Sequence, residues 1–296
     1  MKTTLVELLA AGRCIVADGA MGTELQYAGL EPGAPPELWN ASHPERVRAV
    51  HLAYIRAGAQ IVLTNSFGGN PARLALHELE PRCEELVAAA ARLARVEADA
   101  ARAGVLVAGS IGPTGQLLEP LGPLALDEAV AGFRRQSAAL LDGGADVLWI
   151  ETMSDLREVQ AAIEGARQAG ANAAIVVTLS FDTRGRTIMG VSPAQAAAAL
   201  ADLGVAAMGG NCGVGPSELG EAIEQMRGVV PRAALVAKPN AGLPRWEAGK
   251  TQYAMSADEF ASAAAGLVRS GAAIIGGCCG STPAHIAALA RALARS

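Results

Sequence analysis

Short β-branched apolar runs recur along the chain at Cys14–Ala17, Gln60–Thr64, Val105–Ala108, Asp146–Ile150, Ala174–Leu179, Val205–Gly209, Ala234–Ala237 and Ala272–Ile275. Their hydrophobicity is nearly continuous rather than alternating, which suits parallel strands covered on both faces. Segments with helical spacing lie between them. Pro44–Ala57 sets Val47, Val50, Ala53, Tyr54 and Ala57 along one side. Arg82–Ala103, Asp127–Asp142, Leu156–Ala169, Ser192–Leu203, Ser217–Gly228, Ser256–Ser270 and Thr282–Ala294 follow the same pattern. Ser192-Pro193, Thr282-Pro283 and the Ser256…Glu259 box read as helix starts.

Eight strands alternating with helices predict a (β/α)8 barrel, with residues 1–296 as a single domain. An open doubly wound sheet is the competing arrangement. The repeat count of eight, and the lack of a G-x-G-x-x-G turn after the first strand, argue against it. Gln26–Ser42, rich in proline and glycine, and Leu117–Leu126 read as loops after strands one and three.

Composition narrows the function. Of 296 residues, 51% are hydrophobic and 3% aromatic, so a large core is built from small and branched side chains. A net charge of −5 without a long basic run argues against a nucleic-acid partner. No apolar stretch is long enough to cross a bilayer, and the N-terminus carries Glu7 without a full signal-peptide core. The expectation is a cytoplasmic enzyme without membrane contact, whose alanine-rich helices leave room for an oligomeric contact.

Five cysteines, an odd number, argue against a disulfide framework. Two are adjacent within Gly276-Gly277-Cys278-Cys279-Gly280, at the end of the eighth strand. A third ends the sixth in Gly210-Asn211-Cys212-Gly213. If those strand ends lie side by side, three thiols converge on a soft site suited above all to zinc, with a fourth position for a substrate. Neighbouring residues point to opposite faces of a strand, so Cys278 and Cys279 both reach such a site only where the chain turns, as the flanking glycines permit. Cys14, at the opposite end of the first strand, and Cys83, opening a helix, read as structural. His43, His51, His77 and His285 form no ligand set.

Barrel enzymes carry their chemistry on the loops after the strands. Those positions hold Asp18-Gly19-Ala20-Met21-Gly22-Thr23, Thr64-Asn65-Ser66-Phe67-Gly68, Gly109–Pro113, Glu151-Thr152-Met153, Ser180-Phe181-Asp182, Asn211-Cys212, Lys238-Pro239-Asn240 and Cys278-Cys279. Asp18 and Glu151 together are suited to an ammonium group. The backbone N–H groups of Gly19, Ala20, Met21, Gly22 and Thr23 are suited to a carboxylate. With a thiolate-binding metal, these parts describe an α-amino acid bearing a thiol. An electron-rich zinc thiolate favours attack by sulfur on carbon over activation of water. Lys238, ending strand seven, reads as a rim salt bridge. Its alternative is a Schiff-base nucleophile of a lyase, and a third reading is a non-catalytic zinc- or thiol-binding partner protein.

These motifs, together with Ile111-Gly112-Pro113 and Pro239-Asn240-Ala241-Gly242, resemble the homocysteine S-methyltransferase family, which includes the homocysteine-binding domain of methionine synthase and betaine–homocysteine methyltransferase. The resemblance covers essentially the whole chain. It implies zinc held by Cys212, Cys278 and Cys279, with Asn240 as a displaceable fourth ligand and no catalytic group beyond the metal centre. It implies that Asp18 and Glu151 bind the homocysteine amino group and the Gly19–Thr23 turn its carboxylate; Asn211 is counted with the substrate contacts. The methyl donor would be a small molecule, S-methylmethionine or betaine, or a separate corrinoid or folate protein. The aromatic cage of the betaine enzymes is incomplete, since two of its positions fall at Pro35 and Gly68, with Trp39 nearby. The sequence leaves open another thiol or selenol acceptor, selenohomocysteine included.

Overall fold

A computed structural model describes residues 3–101, 104–247 and 250–294. Its central sheet contains β1 (Ile15–Val16), β2 (Ile61–Leu63), β3 (Leu106–Ile111), β4 (Val147–Met153), β5 (Ala174–Leu179), β6 (Ala207–Cys212), β7 (Leu235–Pro239) and β8 (Ala272–Ile275). All neighbouring strands pair in parallel, in the order β1-β8-β7-β6-β5-β4-β3-β2. The ring closes between β1 and β2 through a parallel Ala17–Ile61 bridge. There Gln60 N–H donates to the Val16 carbonyl at 2.7 Å, and Asp18 N–H to the Ile61 carbonyl at 3.0 Å. The expected (β/α)8 barrel is the fold.

Continuous apolar strands hide an alternation that the barrel separates. Ile15, Ala17, Ile61, Leu63, Leu106, Ala108, Val147, Trp149, Val176, Val236 and Ile274 form one buried cluster. The intervening Val16, Val62, Val107, Leu148, Ile150, Val177, Leu235 and Ile275 belong to a second, larger one that includes the helices. Odd and even residues of a strand face opposite sides, so the first set fills the barrel and the second holds the helical ring. Helix Leu5–Ala10, capped reciprocally by Thr4 and Glu7, packs Leu5, Leu8 and Leu9 on the interior cluster beside strand-starting residues such as Ala174 and Ala234. It was not evident in the hydrophobic pattern.

The expected helices occur with small shifts, as Pro44–Arg56, Cys83–Ala100, Leu126–Asp142, Leu156–Ala169, Pro193–Asp202, Pro216–Val229, Ala257–Arg269 and Pro283–Leu293. Residues 102 and 103 of the expected Arg82–Ala103 helix lie outside the described residues. Ser256 with Glu259 forms the anticipated capping box, and Ser192, expected as a helix start, forms one with Gln195. One loop reading needs correction, and one element was not expected. Gln26–Ser42 contains the end of helix Met21–Tyr27, a turn of 3-10 helix at Pro36–Leu38 and helix Trp39–Ser42. After β7 the chain makes an antiparallel hairpin, Pro244–Glu247 with Lys250–Tyr253, before returning to the ring.

Candidate metal centre and substrate cavity

β6 and β8 are not neighbours, as the simplest picture of converging cysteines requires; β7 lies between them. Their sulfurs meet above its end. Cys212 is registered with Pro239, and Cys278 N–H donates to the Pro239 carbonyl at 2.8 Å. On the other side, Gly277 N–H donates to the Asp18 carbonyl at 2.8 Å, and Ala241 N–H to the Cys279 carbonyl at 3.0 Å. The chain after β8 is thus stitched to both adjoining strand ends while it turns. Gly280, at φ 78°, completes the turn; a Cβ there would lie 2.0 Å from Tyr253 Cγ. Cys212 itself adopts φ 60°, an unusual conformation for a non-glycine residue that aims its sulfur at the others.

Cys212 Sγ lies 2.8 Å from Cys278 Sγ and 4.0 Å from Cys279 Sγ, and the three sulfurs fall within 4.8 Å of one another. Cys14 and Cys83 stand apart. Burial raises both thiols, to about 11 and about 12, and Cys83 Sγ donates to the Gly69 carbonyl. In the cluster, hydrogen bonds from Cys212 and Cys278 lower the Cys279 thiol to about 3, outweighing its burial. Cys212 is pushed up chiefly by its bonds to Cys278 and Cys279. Asn240 Nδ2 donates to the Gly213 carbonyl at 2.8 Å, while its buried Oδ1 has no hydrogen-bond partner. Three clustered sulfur donors fit a soft metal ion such as zinc.

A cavity of about 490 Å³ opens onto the cluster. It is lined by Cys212, Cys278, Cys279, Glu151 and Lys238, by Gly19–Thr23, and by Glu37, Phe67, Arg73 and His77. Ser110 Oγ donates to Glu151 Oε1 at 2.5 Å. Burial pushes the Glu151 carboxyl up to about 7, against the opposing field of Lys238. The expected Gly19–Thr23 turn is not formed: Gly19 and Ala20 are irregular, with Ala20 extended, and Met21, Gly22 and Thr23 are the first turn of helix Met21–Tyr27. No side chain caps that helix, so its first backbone N–H groups are left for the cavity.

Asp18 and Asn211 stand behind the cavity wall. Asp18 is buried, with Oδ1 accepting from Lys238 Nζ at 2.7 Å and Oδ2 from Leu63 N–H at 2.7 Å. Burial alone would depress the Lys238 amine, but Asp18 and then Glu151 hold it above its ordinary value. The ion pair with Asp18 is the salt bridge expected of Lys238, buried rather than on the rim. Asn211 Oδ1 accepts from Thr152 N–H at 2.8 Å and from Thr178 Oγ1 at 2.7 Å. Its Nδ2 donates to Thr152 Oγ1 at 2.7 Å and reaches toward Cys212 and Cys278 Sγ at 3.5 and 3.7 Å.

Several participants escaped the sequence reading. Ser110 was visible only as a strand-end serine. Glu37, Arg73 and the exposed His77 come from segments read as loop or surface, and only the fold brings them to the cavity. Tyr253 sits on the unpredicted hairpin, where its hydroxyl stabilises the Cys279 thiolate; β-forming Thr251 and Tyr253 after Gly249 were the available signal. Trp39 is turned away from the cavity. Its ring stacks on His43 with centroids 4.7 Å apart and lies under Arg46. Among the described residues, the aromatic rings lining the cavity are those of Phe67 and His77.

A profile of the homocysteine S-methyltransferase family matches residues 15–293. The methionine synthases of Mycobacterium leprae and Mycobacterium tuberculosis are 36% and 35% identical over 99% of the chain, which spans about a quarter (25%) of their length. The metallated form of the homocysteine methyltransferase MmuM from Escherichia coli superposes with a TM-score of 0.79 at 32% identity, covering 98% of both chains. The matched region runs through every barrel strand and all the clustered cysteines, and the chain belongs to the homocysteine S-methyltransferase family.

Proposed function

We propose that this chain transfers a methyl group to the thiol of homocysteine, forming methionine, with zinc held by Cys212, Cys278 and Cys279. The observation that carries this reading is the convergence of those sulfurs on a cavity that Glu151 also lines. Asn240, with its unpartnered oxygen, would complete the donor set until substrate arrives. Zinc bound there supplies Lewis acidity that keeps an incoming thiol deprotonated at neutral pH.

The surrounding residues orient the amino acid. Glu151, held by Ser110, faces the cavity and receives the ammonium group. Asp18 contributes from behind by anchoring Lys238. The uncapped N–H groups in the Gly19–Thr23 segment receive the carboxylate. The thiol proton departs on binding, and sulfur forms its new bond to carbon as the donor–carbon bond breaks. Fixing the amino-acid head leaves the sulfur one approach to the methyl group, which removes much of the entropic barrier. The full-length match to MmuM supports a reaction completed within a barrel of this size, with a small donor entering past Glu37 and Phe67.

The test is methionine formation from homocysteine by zinc-loaded, reduced protein, read by mass spectrometry. Betaine, S-methylmethionine, S-adenosylmethionine, methylcobalamin and methyltetrahydrofolate are supplied one at a time. Product with a single small donor names the substrate. Product with methylcobalamin alone assigns the donor role to a corrinoid partner. Homocysteine binding without product from any donor, even with added lysate, would replace this reading by that of a thiol-binding partner protein.

A further inference from the structure

The proposed reaction raises a problem of selection. With homocysteine bound at a zinc ion, the substrate thiolate would stand beside those of Cys212, Cys278 and Cys279. A coordinating thiol is deprotonated outright, so a methyl donor in the cavity meets several sulfur nucleophiles of one kind. All three cysteines line that cavity. Transfer to any of them would form a stable thioether and remove a ligand from the centre.

The hydrogen bonds around the cluster fall on the protein sulfurs. Asn211 is fully buried, and its carboxamide has one orientation, because Oδ1 accepts from the Thr152 N–H, which can only donate. Nδ2 therefore faces the other way. It gives one N–H to Thr152 Oγ1 and turns the second toward Cys212 Sγ at 3.5 Å and Cys278 Sγ at 3.7 Å. Cys279 is served separately, by the hydroxyl of Tyr253 on the hairpin strand Lys250–Tyr253. The Tyr253 ring packs over Gly280, which anchors it beside the turn that carries Cys279. Neither Asn211 nor Tyr253 lines the cavity. A sulfur arriving through the cavity meets neither donor.

A hydrogen bond to a thiolate stabilises its negative charge and lowers its nucleophilicity. Partners of this kind around metal ligands tune the centre as well as orient it. Resting on the zinc-thiolate reading above, we propose that Tyr253 and Asn211 set the selectivity of methyl transfer by blunting the cysteine sulfurs, Tyr253 acting on Cys279 and Asn211 on Cys212 and Cys278. The substrate sulfur, left without such a donor, is the strongest nucleophile at the centre and takes the methyl group.

The test uses zinc-loaded protein without homocysteine and a limiting amount of iodomethane, whose carbon bonds to sulfur as iodide leaves. Peptide mass spectrometry locates the methylated cysteines and follows their initial rates. With zinc bound the thiol protons are already gone, so the rates report nucleophilicity rather than protonation. Tyr253→Phe keeps the ring and removes the hydroxyl. Cys279 should be methylated about 3- to 10-fold faster than in wild type, as for loss of one charge-assisted hydrogen bond, with Cys212 and Cys278 within about twofold. An unchanged or slower rate at Cys279 would overturn the proposal. Equal acceleration at all three cysteines would make Tyr253 merely structural and overturn it too. Zinc content is measured first. Wild-type protein that holds no zinc fails the reading beneath and takes this one with it, whereas zinc-loaded protein with the Cys279 rate unmoved fails this proposal alone.

Discussion

The carboxamide of Asn211 grips Thr152 twice, accepting from its backbone N–H at 2.8 Å and donating to its hydroxyl at 2.7 Å. Thr152 sits at φ 61°, where the β4–β5 register slips between Ile150 and Met153. The unusual backbone that follows Glu151 is thereby fastened to the strand bearing Cys212. The cysteine cluster and the segment bearing Glu151 are thereby tied together, with Asn211 between them.

Asn211→Asp separates the two jobs of this residue. An aspartate can still accept from Thr152 and Thr178, but it no longer donates toward the sulfurs and adds negative charge beside them. The variant should melt within a few degrees of wild type while losing zinc affinity by roughly tenfold, the worth of about one charge-assisted hydrogen bond. Competition with a chromophoric chelator measures the latter; unchanged affinity would show that the Asn211 donors do not matter to the cluster.

Cys278→Ala should reduce bound zinc from one ion per chain to none and abolish methionine formation. Cys14→Ser, at the other end of the barrel, should leave both intact. Elemental analysis of the purified proteins distinguishes these outcomes, and zinc retained by Cys278→Ala would remove the metal assignment.

Tyr253→Phe keeps the ring over Gly280 but removes the hydroxyl that stabilises the Cys279 thiolate. In metal-free protein the pH at which Cys279 becomes alkylated by iodoacetamide should move upward. Gly280→Ala is a harsher change, since its Cβ would lie 2.0 Å from Tyr253 Cγ at a backbone φ of 78°. It should destabilise by about 3 kcal/mol or more, by steric overlap and left-handed strain together. A thermal shift below about 2 °C, no more than about 1 kcal/mol produces in a chain of this size, would show that the hairpin yields.

His51 is fully buried with neither ring nitrogen partnered, and burial lowers its pKa to about 4. The unfolded chain therefore takes up a proton from about pH 6.5 downward that the native state refuses until about pH 4. Stability is fully present above that window and declines through it as pH falls, by about 3 kcal/mol from this group. His51→Leu should flatten the acid side of the urea-unfolding profile between those pH values. Parallel profiles for variant and wild type would refute the assignment.

Glu151 gives the opposite sense. Its folded pKa, raised by burial to about 7, lies above that of the unfolded chain, so it favours the native state at low pH and loses that contribution as pH rises toward 7. Ionisation in the same range prepares it for an ammonium ligand. The ratio of wild-type to Glu151→Gln affinity for homocysteine should therefore increase between pH 6 and 8; a constant ratio would place the ammonium elsewhere.

Repetition along the chain made the barrel legible, because a parallel strand covered on both sides and an amphipathic helix each leave a local signature. The cysteine motifs were legible for a similar reason. Adjacent thiols among glycines at a strand end have few uses, and the order of strands in a barrel follows their order in the chain. That logic misjudged one detail, since Cys212 and Cys278 meet across the end of β7 rather than between neighbours. The hairpin carrying Tyr253 went unseen because four-residue strands outside the ring carry little periodicity.

What the sequence by itself determined is therefore the fold, the triad of sulfurs and the rim on which they lie, all properties of local pattern and chain order. Only the tertiary structure decided the division of labour among the charges. Asp18 and Glu151 looked equivalent as acids ending strands. Folding buries Asp18 against Lys238 and leaves Glu151 on the cavity wall beside Ser110. That distinction rests on the pairing of residues 220 positions apart in the chain, and no local pattern encodes such a distance.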